Sequence, residues 1–144
     1  MNYFLIKIKF EKTADEGKIV KVSESYLVDG LTFSEAENRI IEEMKPFISG
    51  EFSVATINPY KVSEIFENAE SEKIFRVKVN FIQLIEETGK EKKIPAYMLV
   101  YADDIKQAEE NFKTGMKGSM ADYRVEKIEE TKILEIFKFK AEQF

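Results

Sequence analysis

Cationic residues recur at a spacing of two. Lys7 and Lys9 form one such pair, Arg76 and Lys78 a second, and Lys138 and Lys140 a third. In an extended chain, residues two apart point to the same side. Each pair is therefore a short cationic row suited to successive phosphates. Tyr26 and Tyr97 supply flat rings in segments that follow the first two rows, and Tyr101 and Phe139 add two more. A basic face with aromatic platforms is what single-stranded nucleic acid requires, because phosphates are held by charge and every base has a face to stack. The same residue types also serve plainer ends. Lysine on an exposed strand is ordinary solvation and edge protection. A strand tyrosine is commonly half-buried with its hydroxyl at the rim.

Other chemistries have less to work with. The chain has no histidine and no cysteine. It therefore lacks the usual general base, the commonest zinc ligand, a thiol nucleophile and any disulfide framework. Paired carboxylates could act as acid and base or hold Mg²⁺. Asp103-Asp104 is the one adjacent aspartate pair, and Asp104 is better placed as a helix N-cap. Glu42-Glu43 and Glu129-Glu130 read as surface charge. The segment Gly115-Met116-Lys117-Gly118-Ser119 has a phosphate-loop flavour without the spacing. It follows a helix pattern instead of opening one, at the wrong pole for an anion. Met44, Met98, Met116 and Met120 suit core filling better than ligation. No catalytic residue, metal site or cofactor is expected, and the chain reads as a non-enzyme.

Composition agrees with a folded domain. Of 144 residues, 44% are hydrophobic and 34% charged, with 12 Phe and 6 Tyr, far from the profile of a disordered chain. Residues 1–71 carry 8 Lys+Arg against 13 Asp+Glu, and residues 72–144 carry 14 against 14. The net −5 thus falls on the first half, which argues against nonspecific duplex binding through global charge. Acids gathered on helices, as Glu35, Glu37, Glu42 and Glu43 are, still leave basic strand faces available. Glu35 to Arg39 and Asp122 to Glu126 read as solvated or locally paired. No apolar run reaches the ~18–20 residues of a membrane helix. The start lacks the apolar stretch of a signal peptide, so a cytoplasmic location and no membrane partner are expected.

The rows must be positioned by strands, and the chain shows them twice. Phe4, Ile6, Ile8 and Phe10 align with Phe75, Val77, Val79 and Phe81 at an offset of 71, and Lys7 aligns with Lys78. Tyr26-Leu27-Val28 aligns with Tyr97-Met98-Leu99 at the same offset. Ala36 and Met44 align with Ala108 and Met116 at 72. Val54, Ile57 and Glu64-Ile65-Phe66 return to 71, against Val125, Ile128 and Glu135-Ile136-Phe137. An inserted residue between strand and helix, removed after the helix, accounts for the shift. Each copy reads strand, Gly-containing turn, strand, helix, strand, with a short fourth strand. Ser34 with Glu37, and Asp104 with Gln107, read as capping boxes. Ala36, Ile40, Ile41, Met44 and Phe47 form one helical stripe. The expectation is an α+β protein of two tandem ββαβ(β) repeats, residues 1–68 and 73–140. Antiparallel sheets each carry one helix, and the two repeats pack about a pseudo-twofold axis as one globular unit.

The opening Met1-Asn2-Tyr3-Phe4-Leu5-Ile6-Lys7, the block from Ile40 to Phe52 and the block from Gly115 to Tyr123 resemble an uncharacterised family found in Bacteroidota and the phages that infect them. The resemblance spans essentially the whole chain and brings no assigned activity or site residues with it. Phage members lying among replication genes imply a nucleic-acid role by association. The sequence thus points to a single-stranded nucleic-acid binder, DNA first, through Lys7, Lys9, Arg76, Lys78, Lys138, Lys140, Tyr26 and Tyr97. The rival is a protein-interaction or oligomerisation module that uses an apolar patch or a free strand edge, with the strand from Ile136 to Phe139 as candidate.

Overall fold

The structure, a computed structural model, describes residues 2–138. Alternating apolar residues produce the first hairpin, β1 (Asn2–Thr13) and β2 (Ile19–Gly30). Helix α1 (Phe33–Met44) follows, then β3 (Phe52–Tyr60) and the short β4 (Glu64–Phe66). The second half repeats the order with β5 (Lys73–Ile85), β6 (Lys90–Ala102), α2 (Ile105–Gly115), β7 (Asp122–Glu130) and β8 (Ile133–Phe137). The class is α+β, with two four-stranded, mostly antiparallel sheets and one helix packed on each, as the sequence predicts.

The strand order is β3-β1-β2-β8 in one sheet and β4-β6-β5-β7 in the other. The fourth strand of each repeat is therefore exchanged. β8, from the end of the chain, pairs in parallel with β2, and β4 pairs in parallel with β6. The chain accordingly divides into two compact units that differ from the contiguous repeats. One holds β1, β2, α1, β3 and β8, and the other, residues 61–131, holds β4 to β7 with α2.

Pairing registers confirm the duplication and relocate its inserted residue. Ile6 pairs with Tyr26, and its counterpart Val77 pairs with Met98. The second strands are thus related by 72, not 71. The extra residue lies in the hairpin turn, not between strand and helix. Residues 14–18 join the first pair of strands, and Gly89 takes φ +69° in the shorter turn that follows the extra Ile85–Lys90 pair. Tyr26 therefore corresponds to Met98, and Tyr97 to Ser25. The fourth strands match in register: Phe137 sits opposite Val28, as Phe66 does opposite Val100. A bulge also recurs at equivalent places, after Lys7 in the β1–β3 ladder and after Lys78 in the β5–β7 ladder.

Each helix is held by a buried stripe. Ala36, Ile40 and Met44 pack on Phe4, Ile6, Ile8, Tyr26 and Val28. Phe112 and Met116 pack on Val77, Val79, Met98 and Val100, and Ala108 packs with Phe75 and Ala102. Burying these side chains stabilises each unit by about 1.5–3 kcal/mol per large residue. Phe47 lies past the end of α1 and is 75% exposed, so it is not part of the stripe. The first N-cap is Thr32, whose hydroxyl accepts from Glu35 N at 3.1 Å, rather than Ser34. Asp104 caps α2 as expected, accepting from Gln107 N at 2.7 Å. Thr32 and Asp104 occupy equivalent positions. Arg39 does not simply pair with Glu35, which is 3.9 Å away. It reaches Asp29 at 2.6 Å, a mostly buried ion pair that ties α1 to the end of β2.

Gly115 is fixed by a close approach. A Cβ placed there would lie 2.5–2.8 Å from three atoms of the Phe66 ring, and that ring rests on Phe112 with centroids 6.1 Å apart. Gly115→Ala would gain up to ~1 kcal/mol of helix propensity. The overlap with β4 costs about 1–3 kcal/mol. Urea unfolding is expected to show net destabilisation, and G115A combined with Phe66→Leu should recover part of it.

Candidate nucleic-acid interface

Each sheet has a helix-covered face and an outer face. Strand alternation puts Phe4, Ile6 and Ile8 under α1 and puts Leu5, Lys7 and Lys9 outside. Cross-strand partners share a face. Lys7 lies between Ser25 and Thr56, and Lys9 between Ser23 and Ser53. Both lysines are exposed, and among the described residues neither makes an ion pair. The first unit therefore presents two amines flanked by four hydroxyls, donors of the kind that hold phosphate oxygens. Leu27, on the same outer face, has no exposed surface, so the face is not uniformly open.

The second unit differs in composition. Its outer face brings Arg76, Lys78, Tyr97, Lys127 and Glu129 together around a hollow of about 240 Å³. Lys78 pairs across the ladders with Tyr97 on one side and Lys127 on the other, while Arg76 pairs with Glu129. The Arg76 guanidinium carbon sits 4.0 Å from the centroid of the Tyr97 ring. This cation–π contact makes a flat, positively charged plate. Acids temper the charge: Lys78 Nζ lies 3.3 Å from Glu126 and Lys127 Nζ 3.0 Å from Glu129. Glu126, the extra residue of the bulge, also accepts from the Asn80 amide. These pairs are substantially exposed and worth less than ~1 kcal/mol each, so an incoming phosphate can compete for the lysines.

The expected site residues thus fall into three groups. Arg76, Lys78 and Tyr97 come together on one face. Lys7 and Lys9 share the outer face of the other unit, without an aromatic partner. Tyr26 is displaced from the set. It is 6% exposed on the helix side, opposite to Lys7 and Lys9, and stacks on Phe137 with centroids 5.7 Å apart. It therefore cannot be a stacking platform on the basic face. The reason is the hairpin insertion, since a one-residue slip moves a strand residue to the other face. Lys138 is exposed beyond the end of β8. Lys140 and Phe139 lie outside the described residues. Tyr101 pairs with Ile74 on the outer face of the second sheet. β8 lies at the edge of the first sheet, where an interaction edge is expected, although its described part is Ile133–Phe137. Sequence reasoning missed Lys127 and the hydroxyls beside Lys7 and Lys9. The signal for Lys127 was Ile128, which follows it in the strand periodicity of the repeat.

No helix among the described residues is long and apolar enough to cross a membrane. No group of three or more acidic residues that could hold a metal ion occurs among them. The fold and these faces define a duplicated ββαβ protein with exchanged fourth strands and two unlike outer sheet faces, in each of which polar groups border a buried leucine, Leu27 or Leu99. The chain belongs to the family described as a domain of unknown function, DUF4494, whose family model matches residues 2–139. No curated protein and no solved structure matches it.

The environment of Tyr26 yields a measurable consequence. Burial raises its pKa well above the usual phenol value, and a hydrogen bond donated to Glu24 and the charges of Glu24 and Glu135 raise it further. Above pH ~10 the unfolded chain loses this proton while the folded one keeps it. The contribution to stability is therefore complete below pH ~10 and is lost as pH rises through the folded value. In an absorbance titration at 295 nm, Tyr26 is expected to ionise last. Tyr26→Phe should remove that final component and flatten the alkaline loss of stability.

Proposed function

We propose that the chain is a non-catalytic protein that binds single-stranded nucleic acid, DNA first, on its outer sheet faces. The observation that carries this reading is the Arg76–Tyr97 plate flanked by Lys78 and Lys127. Unpaired bases stack on guanidinium planes as well as on aromatic rings. A base laid on the plate leaves its flanking phosphates to the two lysines. Lys7 and Lys9, with the hydroxyls of Ser23, Ser25, Ser53 and Thr56, hold phosphates without stacking. A sheet face with a stacking plate suits a pliable single strand, whose bases are free, better than a duplex, whose bases are read through grooves. The absence of histidine and cysteine accords with a binding rather than a catalytic role. A place in phage replication, and a cytoplasmic setting, fit this reading through the family resemblance.

A second reading is supported by one observation. The edge strand β3, of sequence FSVATINPY, carries no charge, whereas the equivalent β7, DYRVEKIEE, carries six charged residues. An uncharged edge is open to strand addition, as a protein-interaction or oligomerisation module would need.

Fluorescence anisotropy with labelled oligonucleotides tests the proposal. Binding should prefer single strands. With about four phosphates neutralised, the log–log salt slope should be near −3. Arg76→Glu with Lys78→Glu should abolish binding, and Lys7→Glu with Lys9→Glu should weaken it. Tyr97→Ala should cost about 1–3 kcal/mol. No binding at low salt overturns the proposal and leaves the interaction module, which predicts salt-tolerant association with protein.

A further inference from the structure

The helix-covered side of the first unit contains a hollow that the proposed nucleic-acid role does not use. It measures about 240 Å³ and opens beside the C-terminal end of α1. Its walls are aromatic: Phe10, Phe47 and Phe137, with Tyr26 stacked on Phe137 at 5.7 Å. Two carboxylates, Glu24 and Glu135, also line it. Glu135 stands directly opposite Tyr26 in the parallel β2–β8 ladder, and Glu24 lies two residues before Tyr26 on the same strand face. Glu24 accepts the Tyr26 hydroxyl proton in a hydrogen bond. Among the described residues, neither carboxylate makes an ion pair.

The second unit supplies an internal control for how much of this is required by the fold. The registers make Ala96 the counterpart of Glu24, and Met98 that of Tyr26. Phe47 N donates to Met44 O and Ser119 N to Met116 O, so Ser119 is the counterpart of Phe47. The fold is thus built in the second unit with Ala, Met and Ser at the positions where the first has Glu, Tyr and Phe. The fourth-strand acid is shared, as Glu64, and so are the rings of Phe10 and Phe137, as Phe81 and Phe66. Three departures from one duplicated frame converge on one cavity, and together they add a carboxylate, a phenol and an exposed ring. The duplicated frame does not call for them, although Tyr26 is itself buried in the core beneath α1. Phe47 is 75% exposed at the mouth, and Glu24 and Glu135 both put negative charge beside the Tyr26 phenol, a setting that favours a cation. Aromatic walls attract cations through their faces, and the effect grows as water is excluded.

We propose that this hollow is a binding site for an alkylammonium group. Glu24 and Glu135 hold the ammonium, and the rings of Tyr26, Phe137 and Phe47 enclose its alkyl carbons and face its charge. The volume admits the end of one aliphatic amine. Two sources share that chemistry: a free polyamine and the lysine side chain of a protein.

Proton–carbon correlation spectra of the aromatic side chains test the site directly. The full chain is titrated with n-butylammonium chloride, with spermidine and with Nα-acetyl-lysine methylamide, each against sodium chloride at matched ionic strength. Saturable shifts at Tyr26, Phe47 and Phe137 are expected. Glu24→Gln keeps an acceptor for the Tyr26 hydroxyl, so the fold should persist while affinity falls by about tenfold or more, the scale of a lost charge-assisted bond. Glu135→Gln should act in the same direction. Tighter binding of spermidine assigns the site to polyamines, and tighter binding of the lysine amide assigns it to a protein lysine. Shifts no different from the sodium chloride control, or affinity unchanged in both Gln variants, overturn the proposal. Oligonucleotide binding should be unaffected by either variant, because the hollow lies on the opposite side of the sheet from Lys7 and Lys9.

Discussion

The parallel docking of a short strand onto the second strand of the opposite repeat is the interaction on which the other features depend. β8 brings Phe137 onto Tyr26, and β4 brings Phe66 against Phe112 and into the space left at Gly115. Without that strand, β2 and β6 would be sheet edges, with their backbone groups unpaired and part of the core uncovered. A unit of roughly 70 residues has little core to spare. The exchange therefore makes each unit's completion depend on sequence from the other repeat, and it places Glu135 opposite Tyr26.

Much of this was written in local periodicity. Alternation at Phe4, Ile6 and Ile8, and the helical spacing of Ala36, Ile40 and Met44, follow from burying one face, and such patterns are legible in one sequence. The duplication was legible for the same reason. What local pattern cannot report is a partner far along the chain. Glu64-Ile65-Phe66 and Glu135-Ile136-Phe137 are nearly the same strand, so either could complete either sheet. Nor could an alignment place a single inserted residue when Tyr26-Leu27-Val28 and Tyr97-Met98-Leu99 match so well at the wrong offset. The slip carried Tyr26 to the wrong face, and only the pairing of Ile6 with Tyr26 and Val77 with Met98 corrects it. Ser34 misled for a smaller reason. Thr32, two residues earlier, accepts from the Glu35 N–H and starts the helix there, which leaves Phe33 free to pack on Phe4, with centroids 4.9 Å apart.

Duplication also separates what the fold requires from what one unit has added. Positions under the helices keep their character in both units: Ile6 and Val77, Val28 and Val100, Ala36 and Ala108, Met44 and Met116. The bulge after Lys7 and Lys78 is kept as well. The outer faces have diverged. Lys7 is bordered by Ser25 and Thr56, while Lys78 is bordered by Tyr97 and Lys127. The same backbone thus offers hydroxyls and amines in one unit and a stacked guanidinium plate in the other.

The edge strands carry the same asymmetry. Both β3 and β7 end a sheet beside the first strand of their repeat, with the same bulge. A bulge twists an edge and discourages pairing, and charge discourages it further. β7 has both devices, whereas β3 has the bulge and Pro59 but no charge. The charges of β7 are not only protective, since Glu126 and Lys127 also belong to the polar face around Lys78. The edge of the second unit is therefore closed by residues that serve its face. The edge of the first unit has no such residues, because its face is built from Ser53 and Thr56 in place of ions. An uncharged edge and the hydroxyls beside Lys7 and Lys9 are thus two results of one choice of residues on β3.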